Sequence, residues 1–299
     1  MQESYRYPQR PELAREKPAS DRKRWFLLLP IMLLSCCGLC SLFYVVFPPA
    51  NLDISLMGLD TRGAEGKIAR SDVNMIIGID PGHLRVSILS IPRDLFIQTP
   101  GYGMQRINTI NVLGESEAAL KGIHLYQAAI EENFEIRLDR YIRLDFNAFK
   151  ALIDAVGGVD IYVEKVLEDY QYPTVDGGTE SIRFESGWNH MDGERALKYA
   201  RTRHLDDDYK RNERQQAVIS AFVSRLVNPI YWGPVLNVLQ HSVETDLNPV
   251  DLLRIAPILL INAGNFDTLV INRDYILPAE GYAVPNYDKV LPWVRERFD

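Results

Sequence analysis

The apolar positions after residue 50 alternate between the spacing of β-strands and the spacing of α-helices. Strands are predicted at residues 51–59, 73–79 and 84–91, and the turn Asp80-Pro81-Gly82 joins the last two as a hairpin. Further strands are predicted at 141–145, 159–163 and 267–272, and helices at 117–133, 146–156, 192–199, 211–227 and twice within 234–262. Residues 104–113 have mixed spacing, and 165–190 predict either a long loop or a small subdomain.

This order of elements indicates the fold class. Alternating strands and helices with one hairpin predict an α/β fold with α-β-α layers, in which helices cover both faces of a mixed central sheet. Gly157-Gly158 ends one helix, and Asn248-Pro249 opens another.

The first 50 residues have a different pattern. Residues 25–47 contain no charged side chain, and about 20 apolar residues are enough to cross a bilayer as a helix. Arg22, Lys23 and Arg24 precede this run, so the positive-inside rule predicts a single-pass cell-membrane protein with residues 1–24 in the cytoplasm and 48–299 outside. Two alternatives are a cleaved signal peptide, for which no A-x-A-like site is present, and a lipoprotein signal at Cys37.

Charge and cysteine content narrow the function classes. The chain has 299 residues and a net charge of −7. Residues 1–24 hold seven Lys/Arg and four acids, which leaves about −10 for the rest and argues against a nucleic-acid partner. Cys36, Cys37 and Cys40 all lie in the predicted span, so disulfides, a thiol nucleophile and a cysteine zinc site are excluded for the outer domain.

Familiar enzyme motifs are absent. No G-x-S-x-G elbow occurs, residues 61–68 do not complete a P-loop, and the histidines lack metal-ligand spacing. The run Asp206-Asp207-Asp208 predicts a solvated loop, with calcium or magnesium binding as the alternative.

Charged residues cluster at predicted strand ends. Asp60 ends the first strand, Arg70 and Asp72 lead into the second, and Arg93-Asp94 follow the third. Such ends meet at one sheet edge, where open α/β sheets place ligands. Arg201 and Arg203 follow a helix, and Arg211 opens the next, with Gln215 one turn later. Several converging arginines predict a diphosphate ligand, because each guanidinium can bind two phosphate oxygens. The two aspartates would repel such an anion, so their presence predicts that they hold Mg²⁺.

Seven stretches of the chain match the motifs of one known family. They are LMGLDTR (56–62), RSDVNMI (70–76), SILSIPRDLF (87–96), RIN (106–108), LIDAVGGVDI (152–161), MDGERALKYARTRH (191–204) and RNERQQ (211–216). With them the chain resembles the LytR-CpsA-Psr family of membrane-anchored ligases that attach glycopolymers to the bacterial cell wall. The stretches occur in family order and cover about residues 51–228, which leaves 229–299 as a C-terminal extension. Two local departures are Gly114-Glu115, where the family often has a glycine pair, and the stretch 165–187.

The resemblance implies roles for the charged set. Asp60 and Asp72 resemble the family's magnesium ligands. Arg70, Arg93, Arg201, Arg203 and Arg211, with Gln215, resemble its pyrophosphate clamp, and the family encloses the polyprenyl tail in an apolar pocket. The predicted catalytic residues are Arg93, Asp72 and Asp94. Asp94 is not part of the resemblance but a candidate base toward the incoming hydroxyl, and its role as an ion pair or turn-stabilising carboxylate beside Arg93 stays open.

The resemblance implies a phosphotransferase that moves a glycopolymer from a polyprenyl-diphosphate carrier to peptidoglycan. Two alternatives stay open at this point. One is a non-catalytic protein that binds lipid-linked glycans or has a regulatory role, and the other is a polyprenyl-diphosphate pyrophosphatase.

Overall fold

The computed structural model describes residues 32, 35, 38, 42–44, 46–61, 67–174, 178–202, 208–262, 266–279 and 281–298. The chain divides into two compact units, Met1–Pro48 and Pro49–Asp299. Most of the span predicted at 25–47 lies outside the described residues. In the part that the structure describes, no helix combines the length and the apolar character needed to cross a membrane.

A six-stranded mixed sheet forms the centre of the larger unit. Its strands span Leu52–Asp60 (β1), Arg70–Asp80 (β2), Arg85–Ser90 (β3), Arg140–Leu144 (β6), Glu244–Thr245 (β11) and Asp267–Val270 (β12), and they lie in the order β11-β6-β1-β2-β3-β12. β2 and β3 are antiparallel, as the hairpin prediction requires. β1 and β2 are also antiparallel, and β6 and β12 run parallel to β1 and β3. The mixed central sheet is therefore confirmed.

Other strands form separate pairs outside this sheet. Val159–Val163 (β7) is a strand, as predicted, but it pairs with Gly187–Met191 (β10) and not with the central sheet. The stretch 165–190 forms strands, so its prediction as a long loop is wrong and its prediction as a small subdomain fits. The pairs are β4 (Phe96–Thr99) with β5 (Gly103–Arg106), β7 (Val159–Val163) with β10 (Gly187–Met191), β8 (Leu167–Pro173) with β9 (Thr179–Phe184), and β13 (Ile276–Ala279) with β14 (Tyr282–Pro285).

Among the described residues, three helices cover one face of the sheet. They are α1 (Ile107–Glu115), α2 (Lys121–Phe134) and α8 (Tyr287–Arg295), and their buried side chains share a core with Met57, Ile76 and Leu89. The mixed spacing of residues 104–113 resolves into the end of β5 and most of α1. A Cβ on Gly114 would lie 2.6 Å from the Cα of Gly122, so the two helices can approach this closely only because both positions are glycine.

Five helices cover the other face. They are α3 (Phe146–Ala155), α4 (Gly193–Arg201), α5 (Asp208–Arg225), α6 (Trp232–His241) and α7 (Pro249–Asn262). The side chains of Asp145 and Asp192 cap α3 and α4 by accepting from backbone N–H groups. After α3 the chain reverses through Gly157 and Gly158, whose φ values of 71° and 83° favour glycine. The layered α-β-α arrangement is confirmed.

Candidate functional site

A β-bulge at the end of β1 places the two predicted metal ligands. Gly58 pairs with Val73 and Leu59 pairs with Ser71, so Asp72 is the extra residue of β2. Asp60 lies opposite Arg70 in the next pair. A bulge turns a side chain away from the regular alternation, which lets Asp72 share a cavity wall with Asp60.

The turn after β3 brings Arg93 to the same place. Leu95 N donates to Pro92 O at 3.1 Å, and Asn108 N donates to Arg93 O at 3.1 Å, which fixes the turn against the start of α1. Arg93 Nη1 donates to Asp72 Oδ1 at 2.6 Å. The three strand ends therefore meet at one edge of the sheet, called here the site end.

Asp94 lies between two guanidinium groups. Its carboxylate is 3.5 Å from Arg93 Nε and 3.4 Å from Arg106 Nη1, and its side chain is 48% exposed. Arg106 also covers the Phe96 ring, with its guanidinium carbon 5.3 Å from the ring centroid. This geometry corresponds to the ion-pair interpretation of Asp94, while the carboxylate stays accessible to a ligand in the adjoining cavity.

Helices α4 and α5 supply the remaining groups. Arg201 Nη1 donates to the Tyr172 hydroxyl at 2.8 Å, and its guanidinium carbon lies 4.4 Å from the Phe146 ring centroid. Arg211 is only 2% exposed, and Gln215 Nε2 donates to Ala200 O at 3.5 Å. Arg203, Asp206 and Asp207 lie outside the described residues, whereas Asp208 is the first residue of α5.

An apolar cavity of about 520 Å³ lies between the sheet and helices α3–α7. Ligand pockets typically measure about 300–1,000 Å³, so the cavity has room for a long apolar group. At the site end its wall is charged and polar. That end contains Asp60, Asp72, Arg93, Arg201, Arg211 and Gln215, while Leu56, Ile77, Val86, Leu152, Ile219 and Leu259 are among the residues that line the rest.

A second, polar cavity of about 500 Å³ adjoins the first. Asp60, Asp72 and Arg93 line both cavities and so form the boundary between them. The polar cavity also contains Arg70, Asp94, Arg106 and Asn108. Every described site residue that the sequence predicts therefore lines one or both cavities.

Several neighbours of the site had no predicted role. Arg106 and Asn108 belong to the RIN stretch, which the sequence gives as a motif without a function. Tyr172 and Asp169 come from β8, and Thr202 Oγ1 donates to Asp169 Oδ2 at 2.5 Å just after α4. The only sequence signal for β8 is its tyrosine content, which does not distinguish a site residue from an exposed one.

The donor set bears on the predicted metal. Among the described residues, no group of three or more His, Cys, Asp and Glu side chains is arranged to hold an ion. Asp60 and Asp72 alone would supply two carboxylates. Mg²⁺ commonly takes one or two carboxylates and completes its shell with substrate phosphates and water, so this pair fits Mg²⁺ only together with a phosphate ligand.

Comparison with known proteins identifies the family. The profile of the LytR_cpsA_psr family matches residues 48–289. The chain belongs to this family. One relative is TagU of Oceanobacillus iheyensis, named a polyisoprenyl-teichoic acid–peptidoglycan teichoic acid transferase. It is 32% identical over a region that covers 66% of this chain and 59% of TagU. TagV of Bacillus subtilis has the same type of name and is 29% identical over 82% of this chain and 64% of TagV. The chain thus spans about 60% of the length of these relatives.

Solved structures agree with this family assignment. The crystal structure of B. subtilis TagV has a TM-score of 0.68 and 27% identity, covering 83% of this chain and 97% of its own. A structure of TagT bound to LIIa-WTA has a TM-score of 0.65 over 82% of this chain and 89% of its own, and at 23% identity it supports the fold alone.

Proposed function

We propose that the chain is a membrane-anchored phosphotransferase that moves a glycopolymer from a polyprenyl-diphosphate carrier to peptidoglycan. One observation carries the proposal: an apolar cavity meets a polar cavity at a wall made of Asp60, Asp72 and Arg93. A lipid-linked glycan has its parts in the same order as these cavities: an apolar tail, a charged diphosphate and a polar sugar. The names of the relatives TagU and TagV as teichoic acid transferases support this substrate class.

The proposed binding mode follows the two cavities. The polyprenyl tail lies in the apolar cavity, and the diphosphate lies at its charged end. In this binding mode Arg93, Arg201, Arg211 and Gln215 face the diphosphate from the apolar cavity, and Arg70 faces it from the polar one. The family resemblance adds Arg203, which lies outside the described residues. Each guanidinium group can bind two phosphate oxygens, and its electrostatic attraction to phosphate is stronger in a partly buried site than in water.

The proposed reaction is one substitution at phosphorus. A hydroxyl of peptidoglycan attacks the phosphorus that bears the glycan, a new P–O bond forms, and the P–O bond of the anhydride breaks, so that polyprenyl phosphate leaves. Charge neutralisation and positioning dominate such reactions, and the arginines supply both. Asp60 and Asp72 would hold Mg²⁺, which would neutralise phosphate charge when bound.

Asp94 is the proposed acceptor of the hydroxyl proton. It lines the polar cavity beside Arg93, where an incoming hydroxyl would approach the diphosphate. Contacts with two arginines hold its carboxylate at this position, which suits a base, and the same contacts would serve a purely positioning role. A variant with Asn at this position keeps the shape and removes the proton acceptor, so its pH–rate profile distinguishes the two roles.

The anchor and the location belong to the same proposal. Residues 25–47 would cross the cell membrane once, with the larger unit outside. Support comes from the described positions of this stretch that are helical and carry exposed apolar side chains, such as Met32, Leu42, Phe43 and Val46.

A transfer assay tests the proposal: the full chain is incubated with a lipid-linked glycan, Mg²⁺ and cell-wall fragments. We expect glycan to become attached to the wall fragments and polyprenyl phosphate to be released in equal amount. Release of polyprenyl phosphate without attachment would indicate a pyrophosphatase. Binding of the carrier with neither product would indicate a binding or regulatory protein.

A further inference from the structure

A long stretch of the chain beside the apolar cavity carries no charge. Residues 226–243, which include α6, contain no Asp, Glu, Lys or Arg, and residues 255–266, which include most of α7, contain none either. Exposed helices of soluble domains normally present charged side chains to water. The two charged residues of α7 are engaged elsewhere: Asp251 pairs with Arg140, and Arg254 donates to the Ala50 and Asn51 carbonyls.

Both helices are apolar on two sides. Their inner sides line the apolar cavity with Val235, Leu239, Leu252, Ile255 and Leu259. Their outer sides and the short 3-10 turn Pro229–Tyr231 expose large apolar side chains to solvent. The exposed fractions are 71% for Ile230, 39% for Trp232, 39% for Leu236, 64% for Val250 and 58% for Ile261. We call these five residues the apolar end surface.

The register of the sheet places this surface away from the diphosphate site. β1 runs from Leu52 to Asp60, so its first residues lie roughly 27 Å from the site end. Arg254 of α7 contacts the chain just before β1, at Ala50 and Asn51. Trp232 Nε1 donates to Leu226 O, just past the C-terminal end of α5, whereas Arg211 lies near the other end of that helix.

We propose that the apolar end surface rests in the interfacial region of the lipid bilayer, so that the inner sides of α6 and α7 guide the carrier's tail from the membrane into the apolar cavity. The occupant is a lipid surface for three reasons. Helix α7, which carries Val250 and Ile261, contacts Ala50 and Asn51, the residues that follow the predicted span in the sequence. The surface also continues an apolar cavity, and it carries a tryptophan, the residue that is enriched at membrane interfaces. The inference rests on the proposed membrane attachment but not on transferase activity.

The chain contains a matched pair of reporters for this surface. Trp232 belongs to it, whereas Trp188 is 75% exposed on β10, outside it. The full chain is reconstituted into vesicles of phosphatidylglycerol and phosphatidylcholine with brominated acyl chains, which quench tryptophan that contacts lipid. One variant keeps only Trp232 (W25F, W188F, W293F), and the other keeps only Trp188 (W25F, W232F, W293F).

We expect brominated lipid to quench Trp232 about twofold or more and to leave Trp188 nearly unchanged. Adding I230D to the Trp232 variant should bring its quenching towards that of Trp188, since a carboxylate opposes insertion. Equal, weak quenching of both tryptophans overturns the proposal, and so does a dimer in detergent that I230D dissociates, which would make the surface a contact between two copies. Because quenching needs no glycan, a failed transfer assay leaves this result unaffected.

Discussion

Arg93 Nη1 donates to Asp72 Oδ1 at 2.6 Å, and the two side chains are only 20% and 13% exposed. The pair joins the turn after β3 to the bulge of β2, at the boundary of the two cavities. A carboxylate that holds the guanidinium before substrate arrives keeps it in place for a phosphate. In the proposed reaction, Arg93 would bind the diphosphate, and Asp72 would be one of the two residues that hold Mg²⁺.

Replacement of Arg93 by alanine should reduce glycan transfer about 100-fold or more, because loss of one pre-positioned donor to a charged transition state has this size of effect. Initial rates with lipid-linked glycan measure it. R85A is the matched control, since Arg85 also pairs with a buried aspartate but at the other end of the sheet. If R93A and R85A transferred glycan at similar rates, the assignment of the site would be wrong.

Loss of a carboxylate at the bulge should change the metal requirement. In D72N we expect the Mg²⁺ concentration for half-maximal rate to rise about tenfold or more, because Mg²⁺ binding through carboxylates depends on their charge. Rates over a Mg²⁺ series measure the shift, with D160N as control, since Asp160 is exposed on β7 and pairs with His190. Parallel Mg²⁺ curves for D72N and the unchanged chain would rule out Asp72 as a ligand.

The strands around the site could be predicted because their signals are local. The turn Asp80-Pro81-Gly82 specifies the β2–β3 hairpin, and antiparallel pairing then brings Asp72 and Arg93 to one edge. Which strand pairs with β7 was not predictable in this way, because pairing with β10 across the stretch 165–190 depends on packing between distant parts of the chain. The contact of Tyr172 with Arg201 depends on the same packing.

The first departure from the family pattern, Gly114-Glu115, has a structural explanation that only the contacts reveal. Glu115 stands where a second glycine is common, and its carboxylate lies 2.7 Å from Arg143 Nη1 in the interior. Sequence periodicity places Arg143 on a strand, but it does not identify the partner on α1 that makes burial of the charge possible. The side chains of Arg143 and Glu115 are only 1% and 5% exposed, and the fold can bury both charges because each one neutralises the other.

Truncation of that buried pair should destabilise the domain. Arg143 also contacts Asn111 at 3.0 Å and Glu244 at 2.6 Å, and although burial opposes its charge, the two glutamates keep its pKa above the ordinary value. We expect R143A to lower the free energy of unfolding by about 3–5 kcal/mol, because it leaves carboxylates without their partner. Denaturant titration measures this, and R143M combined with E115Q should recover part of the loss. A loss below about 1 kcal/mol would contradict the role of the pair.

A larger side chain inside the apolar cavity should select against long carriers. Ile219 on α5 lines that cavity, and tryptophan at this position would occupy part of its volume. We expect I219W to raise the KM for long polyprenyl carriers about tenfold. The KM for short-chain analogues should stay nearly unchanged. V166W is the control, because Val166 is 44% exposed and lines neither cavity. An equal effect on long and short carriers would place the tail elsewhere.

The ion pair between Arg140 and Asp251 should make stability depend on pH in the acidic range. Burial alone would raise the pKa of Asp251, but the hydrogen bond from Arg140 at 2.7 Å and that from Asn248 N lower it below the ordinary value. A carboxylate with a lowered folded pKa contributes stability above its unfolded pKa of about 3.9, and that contribution is lost as the pH falls through the folded pKa. We therefore expect D251N to be less stable than the unchanged chain at pH 7, with the difference shrinking below about pH 4. Denaturant titrations between these pH values measure it, with E213Q as a control for an exposed pair. A difference that stays constant down to the lowest pH would show that the charge of Asp251 contributes nothing to stability.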